Sequence, residues 1–399
     1  MALLPVASAL QQILAGIEAP SEEIVSVFHA DGRVLTRDLA AKFTQPPFAA
    51  SAMDGYAVHG ADAAPVGARW TVIGESAAGR SFAGRIAPGE AVRIFTGAPV
   101  PADCGTVVIQ EDVERSGDVI VATDATAAGG NIRPAGNDFS DGDCLLKRGH
   151  RLDPHAVTLA AAMGYGEVPV ARRPVVAILA TGDELVPPGA RPGPDQIVSS
   201  NPAGIAALVV RAGGVALQLG IVADRMDDLR GKIAQARGAD ILVTIGGASV
   251  GDHDLVGPAL KTEGIDLAFW KVAIRPGKPL MFGRLGPTRV LGMPGNPVSA
   301  LITARVFLTP LIQALVGIAA DTEVRETAIL TLSLEANGPR LHLMRAKLGR
   351  DASGALTVTP MPSQDSSLLS ALVDADCLIW REPGAEAAEA GVAVRVERL

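Results

Sequence analysis

The chain of 399 residues predicts a multidomain α/β plus β fold: a parallel α/β domain, a β domain inserted into the N-terminal region, and a C-terminal β domain. Residues 174–316 alternate apolar strand-length runs with helical patterns, which implies a parallel sheet covered on both faces. Residues 48–138 and 323–399 carry short β-like runs separated by Gly, Pro and Asp turns. The length exceeds one ordinary core, so roughly two to four domains are expected.

Taken in order, residues 1–18 read as one helix, with Leu4, Ala7, Leu10, Leu14 and Ile17 at helical spacing. Residues 34–42 read as a second short helix, ended by Pro46-Pro47. Trp70–Ile73, Ala91–Phe95, Thr106–Ile109 and Val119–Val121 read as strands, then Cys144–Leu146 as a short strand and Pro154–Met163 as a helix. Pro174–Ala180 opens the α/β unit as a strand. Pro202–Ala212 follows as a helix, with Asn201 as its N-cap and Gly213 just past its end. Val215–Val222 and Asp240–Ile245 are strands flanking a helix over Asp227–Arg237, and Pro297–Val316 is a long apolar helix. The expected division is 1–47 with 139–172, an insert at 48–138, then 173–322 and 323–399.

The net charge of −8 and the lack of a basic tract argue against a nucleic-acid partner. Three scattered cysteines without a CxxC argue against a disulfide framework or zinc cluster and fit a reducing compartment. No basic n-region precedes Arg33, and no uninterrupted apolar stretch reads as a membrane span, so a cytoplasmic protein is expected.

Neither GxxxxGK[ST] nor a strand-to-helix GxGxxG occurs. The strongest anion candidate is Gly246-Gly247-Ala248-Ser249-Val250-Gly251-Asp252, directly after an apolar strand, where backbone N–H groups and a hydroxyl can converge on a phosphate. A second is Phe269–Pro279: with its first part read as a strand, Lys271, Ala273 and Arg275 share one face, and Lys278 follows in the turn. A third is Leu291-Gly292-Met293-Pro294-Gly295-Asn296-Pro297-Val298-Ser299-Ala300, a strand-to-helix turn whose helix N-terminus suits an anion. Bland readings stand beside these: a ligand-free turn, ordinary surface charge and a rigid connector. Glu184, Asp224 and Asp254 follow strand ends or the glycine loop, where carboxylates can share one crevice and hold Mg²⁺ with substrate phosphates.

Seven segments, taken together and in order, resemble the MoeA family of molybdopterin molybdenumtransferases, whose relatives include the gephyrin E domain. They are Ser51–Ala57, Thr96–Pro101, Asn131–Asp138, Thr181–Leu185, the glycine loop with Asp254, Arg275–Pro279 and Met293–Ser299. The resemblance implies four structural domains, a homodimer with its site at the dimer interface, and conversion of adenylylated molybdopterin and molybdate to molybdenum cofactor and AMP with Mg²⁺. It implies that Gly246, Gly247, Ser249 and Gly251 cradle the pterin phosphate, and that Glu184, Asp224 and Asp254 serve Mg²⁺ and the phosphoanhydride. Asp54 and Thr96 match positions that reach the partner subunit's site. Ser249, Lys278, Ser299, Arg345 and Ser366 match a molybdate pocket. A molybdopterin adenylyltransferase is the implied upstream supplier. Arg275 stands where the family commonly has lysine, and Leu343 where an aromatic is typical. Two other readings remain: a molybdopterin carrier without insertion activity, and a scaffold.

Overall fold

The computed structural model describes residues 3–60, 63–247, 255–318 and 325–399. The chain divides into two compact units: Ile24–Asp31 with Arg37–Val170, and Met1–Glu23 with Gly32–Thr36 and Ala171–Leu399.

The smaller unit is built on strands β1 (Gly55–His59), β2 (Arg69–Ser76), β3 (Glu90–Ile94), β4 (Cys104–Ile109), β5 (Val113–Ser116) and β6 (Val119–Ala122). They form one sheet in the order β4-β1-β3-β2-β6-β5. Strand alternation supplies two cores: Tyr56 and Val58 pack with Ala91 and Val108 on one side, while Ala57 packs with Ile94 and Val107 on the other. Pro154–Ala162 is the expected helix, capped by Asp153, whose carboxylate accepts from Ala156 N at 2.8 Å.

The helix expected over residues 34–42 does not form. Leu39–Ala40 is extended and pairs antiparallel with Cys144–Leu146. Ala41 N donates to Asp143 O and Gly142 N to Ala41 O, both at 2.9 Å. This distant pairing satisfies the backbone groups and overrides a weak local helical pattern.

In the larger unit, helix α1 spans only Val6–Leu14 and buries Ala9 and Ile13. Arg284 and Arg289 donate to Ala15 O at 2.7 and 3.0 Å, placing two cations at the end of that helix where its carbonyls are unpaired. The sheet that follows comprises β7 (Val175–Thr181), β8 (Val215–Val222), β9 (Ile241–Ile245), β10 (Asp266–Trp270), β11 (Met281–Leu285) and β12 (Thr288–Met293). Its order is β8-β7-β9-β12-β11-β10. The first four are parallel, as the alternation predicts, and β11 and β10 extend the sheet antiparallel.

Helices α2 (Asn201–Ala212), α3 (Met226–Gln235), α4 (Val256–Thr262), α5 (Pro297–Thr303) and α6 (Thr309–Leu315) cover it. Val176 and Ile178 of β7 join the core of α2, α5 and α6, whereas Ala177 and Leu179 join that of α3 and α4. Both faces are therefore buried, which is why these strands read as unbroken apolar runs. The expected helix over 297–316 is interrupted by a π-helical segment, Ala304–Leu308. Pro310 lies just beyond; lacking an N–H and crowding the preceding turn, it disfavours regular i→i−4 bonding there. The 19-residue helical run Pro297–Leu315 is apolar enough to span a bilayer, with mean hydropathy 1.6. Here Val298, Ile302, Phe307, Leu308 and Leu311 are buried in the protein core, so the run is a core helix.

Strands β13 (Glu326–Leu330), β14 (Leu341–Arg350), β15 (Leu356–Pro360), β16 (Cys377–Arg381) and β17 (Ala393–Arg398) form the C-terminal β domain. The order β14-β15-β13-β17-β16, with β16 pairing back onto β14, closes them into a ring. Closure removes exposed edges.

Gly55 tests the packing of the smaller unit. A Cβ there would lie 2.1 Å from the Val108 carbonyl oxygen, a backbone atom of the neighbouring strand. Gly55→Ala is expected to lose about 2–3 kcal/mol in chemical denaturation of that unit; an unchanged midpoint would contradict this register.

Candidate active site

The parallel register carries the ends of β7, β9 and β12 to a common level. Gly246, immediately after β9, has φ +89°, and a Cβ on it would meet the Thr181 carbonyl oxygen at 2.7 Å. Its N–H donates to Met293 O at 3.1 Å. A Cβ on Gly295 would lie 3.8 Å from the Gly246 Cα. The first glycine of the loop is thus held between the turn after β7 and the turn after β12, and only glycine fits. Gly247 follows, also at positive φ. Ser249, Gly251 and Asp254 lie outside the described residues.

Asn201 was expected to cap α2. It is instead the first residue of that helix, and its side-chain amide donates to Gly295 O at 2.6 Å. A residue read as a local cap is therefore a tie to the turn after β12.

Glu184 and Asp224 follow β7 and β8, on adjacent strands. Asp224 N donates to Asp183 Oδ1 at 3.1 Å. Partial burial, with the nearby charges of Asp183 and Glu184, raises the Asp224 carboxyl above the usual carboxylate range. Crowded carboxylates of this kind suit a divalent cation. Among the described residues no group of three His, Cys, Asp or Glu side chains forms a metal cage. The set fits Mg²⁺, which commonly takes one or two carboxylates and completes its shell with phosphate and water.

Pro294 is buried at the turn after β12, and Pro297 begins α5 as anticipated. Ser299, 5 % exposed, lies in the first turn of α5. Ser366 joins this point from the C-terminal domain: Asn296 Nδ2 donates to Ser366 Oγ at 3.0 Å, and Val298 N donates to Ser366 O at 3.1 Å.

The Arg345 guanidinium is engaged by backbone carbonyls. It is 1 % exposed and donates to the carbonyls of Ser363, Asp365 and Leu368 at 3.2, 2.8 and 3.0 Å. Arg345, which the resemblance matches to the molybdate pocket, here clamps the loop that carries Ser366. Gln364 reinforces the clamp by bonding both the N–H and the carbonyl of Arg345 at 2.9 Å.

The single strand expected from Phe269 through Arg275 is corrected. β10 ends at Trp270, Lys271 has φ +91°, and Ile274–Arg275 pairs with Leu341–His342 in the other sheet. The positive φ breaks the period-two alternation, so Lys271, Ala273 and Arg275 do not share one strand face. Ala273 is buried and Arg275 exposed. Gly277 packs against α5: a Cβ there would meet Thr303 Cγ2 at 2.3 Å and Ser299 O at 3.6 Å. Lys278, next in the chain, is exposed beside that contact.

Asp54 and Thr96 come together in the smaller unit. Asp54 Oδ1 accepts from both the N–H and the hydroxyl of Thr96 at 2.8 Å. These bonds, led by the Thr96 N–H, hold the Asp54 carboxyl below its ordinary range.

Sequence reasoning did not anticipate the tie of Asn296 to Ser366, that of Asn201 to Gly295, or the bonds of Gln364 to Arg345. Each acts through side-chain bonds to a residue distant in sequence, which no local pattern announces.

The MoeA N-terminal region (domain I and II) matches residues 4–164, the probable molybdopterin binding domain residues 177–314, and the MoeA C-terminal region (domain IV) residues 327–399. A molybdopterin molybdenumtransferase of Haemophilus influenzae is 34 % identical, with 99 % of this chain and 98 % of the relative covered. One from Bacillus subtilis is 32 % identical over 98 % of this chain and 93 % of its own length. The crystal structure of the molybdopterin biosynthesis MoeA protein of Pyrococcus horikoshii OT3 superposes with TM-score 0.82 at 27 % identity, covering 100 % of both chains. With strand-end carboxylates, glycine turn and three matching regions in one order, the chain belongs to the molybdopterin molybdenumtransferase family.

Proposed function

We propose that this protein inserts molybdate into adenylylated molybdopterin, releasing AMP and forming molybdenum cofactor. The observation that carries the reading is the meeting of the Gly246 turn with the turns after β7 and β12, beside the crowded Glu184 and Asp224 carboxylates. Strand-end amides and the α5 N-terminus suit the anionic groups of the substrate. Glu184 and Asp224, with Asp254, would hold Mg²⁺, which neutralises charge developing on the phosphoanhydride. Lys278, Ser299 and Ser366 are the molybdate donors in this reading, and Arg345 fixes Ser366. Arg275 and Lys271 add positive charge nearby. Asp54 and Thr96 form a preorganised pair that completes the site of the partner subunit in a homodimer. The four-domain division, with the insert at 48–138, belongs to the same reading. The adenylylated substrate requires an upstream adenylyltransferase.

A turnover assay with adenylylated molybdopterin, molybdate and Mg²⁺ tests the whole reading: AMP release supports it, and bound pterin without AMP supports the carrier alternative. Asp224→Asn is expected to lower turnover about 100-fold or more. It also carries a signed pH effect. A carboxyl raised in the folded state stabilises the fold below that raised pKa, and the contribution is lost as pH rises through it. Asp224→Asn should therefore melt above wild type at neutral pH, and the difference should vanish in acid. A variant less stable than wild type at neutral pH would remove charge crowding from the site.

Lys278→Ala is expected to raise the molybdate concentration for half-maximal rate about tenfold with pterin binding retained; equal loss of both would displace the oxyanion pocket. The dimer reading predicts complementation. Mixing inactive Asp54→Ala and Asp224→Asn subunits should restore roughly a quarter of wild-type activity, because half of random dimers keep one intact site of two. No recovery after subunit exchange would place Asp54 and Asp224 in the same protomer's site.

A further inference from the structure

Two hydroxyls at the carboxyl end of the parallel sheet are buried without a hydrogen-bond partner among the described residues: those of Thr181 and Thr244. Thr181 is 5 % exposed and Thr244 fully buried. An unpaired buried hydroxyl is destabilising, so each needs a physical reason. Thr181 lies two residues past Leu179 and Thr244 two past Leu242, and both leucines pack in the core of α3 and α4. Both hydroxyls therefore face that side of the sheet.

Their surroundings differ. Thr244 is enclosed in the sheet, with its Oγ1 3.4 Å from where a Cβ on Gly292 would sit. Thr181 ends β7, and its Oγ1 is 3.1 Å from where a Cβ on Gly246 would sit. It stands between the glycine turn and the Gly182-Asp183-Glu184 turn. Thr181 pairs with Val222 of β8, and Ala180 just before it pairs with Ile245 of β9, so the hydroxyl is held on a rigid element.

We propose that Thr181 is a binding residue whose hydroxyl donates to a phosphate oxygen seated at Gly246-Gly247, and that Thr244 takes no part in binding. The proposal rests on the reading of the glycine turn as an anion cradle and adds a residue to it. The acceptor that no described residue supplies then comes from the ligand, a trade of stability for function. A hydroxyl can rotate to meet an anionic oxygen, and serine keeps that donor while valine removes it.

Thr181→Val, Thr181→Ser and Thr244→Val distinguish the roles. The measurements are the melting midpoint of ligand-free protein, calorimetric affinity for inorganic pyrophosphate, and KM and kcat for AMP release. Thr181→Val should melt at or above wild type yet bind pyrophosphate about tenfold more weakly, with KM raised in proportion and kcat within about twofold. Thr181→Ser should restore affinity. Thr244→Val should melt at or above wild type with unchanged affinity. A Thr181→Val protein that melts below wild type shows that the hydroxyl already has a partner, and unchanged pyrophosphate affinity removes it from the site; either overturns the proposal. So does a wild-type protein that does not bind pyrophosphate, whatever its turnover. Wild-type binding that Thr181→Val weakens, without AMP release from either protein, supports the Thr181 assignment while refuting the insertion reaction.

Discussion

Parallel pairing of β7, β9 and β12 in one register is the constraint on which the larger unit depends. Leu179 pairs with Thr244, and Thr244 with Gly292, so the three chains leave the sheet at one level. Three turns must then share a small volume. Gly246 meets that demand because it has no side chain and accepts a positive φ, with Thr181 on one side and Met293 on the other. The same pairing exposes strand-end N–H groups and carboxylates at one edge, where ligands of open α/β sheets bind.

Around that edge, distant segments are tied by side-chain hydrogen bonds. Asn201 holds Gly295, Asn296 holds Ser366, and Arg345 with Gln364 holds the loop that bears Ser366. Arg345 is instructive. Enclosing a guanidinium this deeply is unfavourable unless its donors are engaged, and three carbonyls engage them. Its charge is thereby converted into loop geometry. The carboxylates behave in the opposite way: Asp224 is left close to like charges, a destabilising arrangement that a cation relieves.

Much of this was legible in the sequence. Strands buried on both faces appear as apolar runs, so Val175–Thr181 and Ile241–Ile245 could be placed within a residue or two. Pro297 and Gly213 marked a helix start and a helix end because their backbone preferences are local. Residues 34–42 could not be read the same way, since the pairing of Leu39–Ala40 with Cys144–Leu146 is set by a partner about a hundred positions on. The face assigned to Lys271 and Arg275 failed for a related reason: alternation holds only while φ stays extended, and Lys271 does not. Ser366 was read from a loosely matching segment, and its place beside α5 follows from a clamp made by side chains.

The central claim is that strand-end carboxylates and the glycine turn form one cation-and-anion site. Anomalous diffraction from crystals soaked with Mn²⁺ and AMP measures this directly. The account predicts a manganese peak between the Glu184 and Asp224 carboxylates, with nucleotide phosphate density at the Gly246-Gly247 turn. A manganese peak remote from both carboxylates, or phosphate density at the far end of the sheet, would contradict it.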